Sequence, residues 1–147
     1  MHQAADVELR PRPGGDKPSS DVLIAGRPTG SPVPGSALEA AVRWPLGWLL
    51  FVTDNTPSEE VLAIHLLDGE GKLLDSAFIG GPYATGTFSD LRLEPPATVH
   101  FRFIDNADWS VRLLGKAKPA LPWWPDARGV WRGARLTRHF EVHRSPV

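Results

Sequence analysis

The sequence predicts an all-β protein: an antiparallel β-sandwich of about eight short strands, with at most one or two short helical turns. Three observations carry this expectation. Short apolar runs recur along the chain, separated by Gly, Pro, Asn and Asp. The clearest of them, "TVHFRF" (98–103), alternates Val99, Phe101 and Phe103 against His100 and Arg102, a period of two. Several connections are also too short for a crossover, which implies antiparallel pairing. A partly open β-barrel is the alternative arrangement of the same strands.

Residues 1–20 are polar and interrupted by Pro11, Pro13, Pro18 and the Gly14–Gly15 pair. They are expected as a flexible arm in which "VELR" adds at most a short edge strand. Residues 21–147 then form a single β domain. "DVLIAG" opens it, and 27–36, crowded with prolines and glycines, is a surface loop. "LEAAVRW" (38–44) fits a helical turn by its alanines and a strand by its position before the apolar run 46–54. That run, with Trp48, Phe51 and Val52, is a buried strand. "TPSEE" (56–60) has the form of a helix start, with Thr as cap, Pro at the first helical position and Glu three after the cap. The segment 61–80 is expected as two strands joined by a turn at Asp68–Gly71, with a longer helix through Leu67 as the alternative. A turn-rich connection, 80–86, and a poorly alternating strand in "TFSDLRLE" follow. Beyond a turn at 105–108, "WSVRLL" points Trp109, Val111 and Leu113 inward. The last strand sets Leu136, Phe140 and Val142 on one face and Thr137, His139, Glu141 and His143 on the other.

A chain of 147 residues, 41% hydrophobic and 22% charged, fits one globular domain rather than a disordered one. No apolar run reaches the length of a membrane span, and the first twenty residues lack the apolar centre of a secretory signal. A soluble, cytoplasmic protein without membrane contact is therefore expected. The absence of cysteine excludes disulfides, thiol nucleophiles, thiolate zinc sites and iron–sulfur clusters. Twelve arginines against four lysines, with abundant Ala, Gly and Pro, reflect a GC-rich and bacterial coding bias. Charge is unevenly spread: from residue 38 to 108 eleven acidic residues face four basic ones, and from 109 onward eight basic face two acidic. Such asymmetry either marks an anion-binding end or disappears when the two regions fold together. Folding together is the expected outcome.

Chemistry-bearing motifs are sparse. His139, Glu141 and His143 share one face of the last strand, where side chains start about 6.6–6.8 Å apart. Imidazoles and a carboxylate suit zinc, iron or copper, but a site needs further ligands such as His65 or His100. A solvated polar face is the simpler reading, and no metal is assigned. Glu59–Glu60 and the pair Asp105/Asp108 have local roles at a helix start and a turn. No nucleophile elbow, Walker loop, dinucleotide fingerprint or zinc-protease motif is present. "DGEGK" has the wrong glycine spacing for a phosphate loop, and Leu73 stands where Ser or Thr would hold magnesium. No cofactor is implied.

The tryptophans are the remaining signal. Trp44, Trp48 and Trp109 fall in or beside strands and are expected in the core. The segment "ALPWWPDARGVWRG" (120–133) holds Trp123, Trp124 and Trp131, half of the chain's six tryptophans. Its prolines and glycines argue against a regular element. Two uses fit it. The indoles either fold inward as a plug over one end of the sandwich, or face outward as a binding platform with the interleaved Arg128, Arg132 and Arg135 at its rim. Burial of their large apolar area favours the plug. The function expected is a non-catalytic binding or interaction module for an unidentified protein or small ligand. Contact through Trp123, Trp124, Arg128, Trp131 and Arg135 is the expected surface. The net charge of −1 argues against nucleic acid. An edge strand offers a route to a homo-oligomer, and a His/carboxylate site on the last strand is the alternative reading.

Overall fold

A computed structural model of the chain describes residues 1–15, 17–54, 61–80, 86–104, 107–119, 127, 129–132 and 137–145. In chain order the strands are β1 (His2–Gln3), β2 (Val7–Pro11), β3 (Ser19–Ile24), β4 (Arg27–Pro28), β5 (Val33–Pro34), β6 (Ala37–Trp44) and β7 (Gly47–Thr53). They continue as β8 (Leu62–Asp68), β9 (Leu73–Ile79), β10 (Ser89–Glu94), β11 (Thr98–Phe103), β12 (Ala107–Pro119), β13 (Val130–Arg132) and β14 (Thr137–Arg144). All the pairings are antiparallel. Among the described residues they form three open sheets, none closed into a barrel. Among the described residues no helix is long and apolar enough to cross a membrane.

The central sheet has the order β1-β6-β7-β8-β9-β13, and it carries a core on each face. On one face Leu49, Phe51, Leu62, Ile64 and Ala77 pack against Phe101, Trp109, Val111, Phe140 and Val142 of the sheet β10-β11-β12-β14. On the other face Leu50, Val52, Ala63 and Leu67 pack against Val22 and Val33 of the small sheet β2-β3-β4, in which β5 also pairs β3. This arrangement explains why β7 and β8 are apolar on both faces. An antiparallel sheet with one face in water would alternate instead. The large core sheet does alternate, with Val99, Phe101 and Phe103 of β11 and Trp109, Val111 and Leu113 of β12 all buried.

Local chemistry sets the turns. The β3–β4 hairpin turns through Ala25 and Gly26, both at positive φ (52° and 78°), as a two-residue turn of the primed kind requires. At the β8–β9 turn the Asp68 side chain accepts the backbone N–H groups of Glu70 and Lys72, each at 2.9 Å.

Three segments with ambiguous local composition take definite places. "LEAAVRW" is strand β6, because its residues extend the central sheet and bury Val42 and Trp44. The first twenty residues supply β1, paired with β6, and β2, paired with β3. "VELR" thus forms the edge strand, and Val7 and Leu9 pack against the second core. Within 27–36, Val33 is fully buried and β5 bonds to β3. In each case a partner distant in sequence supplies the burial that local composition conceals. The helix start expected at 56–60 lies outside the described residues.

Candidate functional site

Strand β13 is the outermost described strand of the central sheet, with Val130, Trp131 and Arg132 opposite Ile79, Phe78 and Ala77 of β9. Three residues between Gly129 and Gly133 suffice for this pairing, so this part of 120–133 is regular after all. Alternation then sends neighbouring side chains to opposite faces. Trp131 stacks on Phe78, with ring centroids 5.9 Å apart and planes inclined by 17°. Its indole nevertheless remains 44% exposed, the second of two large apolar side chains left in water among the described residues. Trp131 therefore lies on the Phe78 face of the sheet, half in water, while the opposite face of β13 goes to Val130 and Arg132. Trp123, Trp124, Arg128 and Arg135 lie outside the described residues.

Arg132 points the other way, between the sheets. Its Nη1 donates to Asp75 Oδ2 at 2.8 Å, and its Nη2 donates to the Phe140 carbonyl at 2.6 Å. The guanidinium carbon sits 4.6 Å from the centre of the Phe140 ring. Asp75 is buried and fully engaged: Oδ2 also accepts the His139 backbone N–H, and Oδ1 accepts that of Ser76, both at 2.8 Å. One carboxylate and one guanidinium therefore join β9 and β13 of the central sheet to the backbone of β14 in the facing sheet. Trp131 stands on a rigid support.

The histidines do not converge. His65 is completely buried on the face toward the small sheet, opposite to the face that packs on β14. Its Nε2 lies 3.2 Å from the Pro34 carbonyl and its Nδ1 2.7 Å from Ser76 Oγ. A carbonyl only accepts, so the network assigns the proton to Nε2 and makes Nδ1 the acceptor of the Ser76 hydroxyl. His100 bonds Glu94 at 2.7 Å on the outer face of the facing sheet. On β14, the Glu141 carboxylate is held by Arg112 at 2.5 Å, and the His139 backbone is fixed by Asp75. His143 is paired in register with Ser110, which stands between it and His100. Among the described residues, no three His, Asp or Glu side chains are grouped to hold a metal ion.

That outer face is instead covered by ion pairs. Arg92 bridges Asp90 and Asp108, and Arg102 pairs with Asp90 at 3.2 Å. Such exposed pairs keep the surface hydrated and contribute little stability. The expected neutralisation between the acidic and basic regions occurs at Arg132–Asp75, whose partners are 57 residues apart.

Sequence reasoning missed Asp75 and Arg132 as a pair. The available signal was a lone Asp at an inward position of an apolar strand. No protein-family model, curated protein or solved structure matches the chain.

Proposed function

We propose that this domain is a non-catalytic binding module that engages an extended segment of a partner polypeptide at the β13 edge of the central sheet, with Trp131 as the anchor. The observation that carries this reading is the exposed Trp131 indole on a strand clamped from behind by Arg132 and Asp75. An aromatic side chain of this size, rigid and half in water, is the residue type most often found at the energetic centre of protein contacts. A terminal strand adds main-chain donors and acceptors for strand addition. Among the described residues the histidines are dispersed, and Asp75 and Glu141 are engaged by Arg132 and Arg112, so Trp131 is the feature left for a partner to cover.

Selection of random linear peptides against the whole chain tests the reading. Peptides recovered on the wild type are expected to bind Trp131→Ala at least tenfold more weakly. Equal binding to the two proteins, or a concentration-dependent dimer in place of peptide binding, contradicts it.

A further inference from the structure

The long strand β12 carries a second feature that the Trp131 edge does not explain. Its ladder with β14 runs regularly to Leu113↔Phe140, then resumes only at Lys118↔Arg138, so five steps along β12 match two along β14. The surplus residues bulge away from the sheet. The Leu113 N–H holds the strand to the β10–β11 turn by donating to the Ala97 carbonyl at 2.7 Å. Between this turn and the bulge lies an open cleft of about 450 Å³.

The lining has two parts. Pro96, Ala97 and Leu114 supply an apolar wall, while Arg112, Lys116 and Lys118 supply three cations, with no carboxylate among the described lining residues. Arg112 is partly neutralised by Glu141 on the outer face. Lys116 and Lys118 are exposed, and among the described residues neither forms an ion pair with a carboxylate. All three lining cations come from the basic final third of the chain, whose charge is thus concentrated at this cleft. A concave site that pairs an apolar wall with convergent charges of one sign selects a ligand carrying the opposite charge on an apolar body.

We infer that the β12 bulge forms a binding site for a small amphiphilic anion, an organic carboxylate or sulfonate with an apolar body seated on Pro96, Ala97 and Leu114 and its charge on Lys116 and Lys118. The site is independent of the Trp131 edge. Gly115 offers a clean way to close it: a Cβ there meets nothing within 4 Å, and its backbone is not in the left-handed region. Gly115→Phe therefore adds a bulky ring at the cleft from a backbone position that tolerates a side chain.

The test is a fluorescence titration of the full chain with 8-anilinonaphthalene-1-sulfonate, followed by displacement with octanoate or inorganic phosphate. Expected are one saturable site, weakening with added salt, displacement by octanoate and none by equal phosphate. The Lys116→Gln/Lys118→Gln variant is expected to bind at least tenfold more weakly, as is Gly115→Phe, while Trp131→Ala binds as the wild type. Unfolding curves of each variant report on the fold, and the lysine variant decides the question should Gly115→Phe unfold. Absence of saturable binding, displacement by phosphate as readily as by octanoate, or wild-type affinity in the lysine variant overturns the inference.

Discussion

Arg132 and Asp75 form an ion pair at 2.8 Å in which the carboxylate side chain is 1% exposed and the guanidinium side chain 10%. Together they bind the β14 backbone through the His139 N–H and the Phe140 carbonyl. Removing one partner of such a pair strands a buried charge. Asp75→Ala is expected to lower the unfolding free energy by about 3–5 kcal/mol. Urea unfolding should show a lower midpoint with an unchanged slope. Arg132→Met combined with Asp75→Leu should recover only part of the loss, because apolar volume replaces the charged pair while the His139 and Ser76 N–H groups and the Phe140 carbonyl lose these partners. A single Asp75 variant as stable as the wild type would remove the clamp from the account.

His65 joins a different pair of layers. Its imidazole links Ser76 of β9 to the Pro34 carbonyl of β5, and its ring lies edge-on to Phe78, 6.1 Å between centroids. Ser76→Ala removes the hydroxyl from which Nδ1 accepts and is expected to cost about 1–3 kcal/mol. His65→Ala also leaves a cavity and should cost more, about 3–5 kcal/mol. Hydrogen exchange offers a spatial check: amides of β3 and β5 should lose protection in His65→Ala before those of β11 and β12.

Asp54, at the end of β7, has its carboxyl pushed above the ordinary value of 3.8 by desolvation, with Lys17 acting in the opposite direction. A raised folded-state value means that the native protein holds this proton more tightly than the unfolded chain does. The contribution to stability is then fully present below the unfolded value and is lost as pH rises through the folded one. Asp54→Asn should therefore be more stable than the wild type at neutral pH, and the advantage should vanish in acid below about pH 3. Lys17→Met should raise the Asp54 titration further. Carbon-detected carboxylate titration by NMR reads both effects.

The strand pattern was legible where one face of a strand meets water. The period of two placed Val99, Phe101 and Phe103, then Trp109, Val111 and Leu113, on the buried side, and the Asp68 turn marked the β8–β9 hairpin. It failed where burial depends on a distant partner. "LEAAVRW" is ambiguous alone, and only its pairing with β7 and β1 makes it a strand. The third layer was hidden for the same reason: Val33 is fully buried by residues it does not adjoin in sequence. At the candidate site, composition singled out Trp131, but the direction of its side chain depends on the register with Phe78. The clamp behind it joins residues 57 apart and has no local signature.

The exposed indole at the β13 edge is the centre of the proposed function, and paired measurements on Trp131→Ala test it most directly. Loss of the stack on Phe78 is expected to cost only about 1 kcal/mol of folding stability. Binding of wild-type-selected peptides should fall at least tenfold, about 1.4 kcal/mol or more. A loss of stability as large as that of Asp75→Ala, with peptide binding by the folded fraction unchanged, would make Trp131 a structural plug and contradict the account.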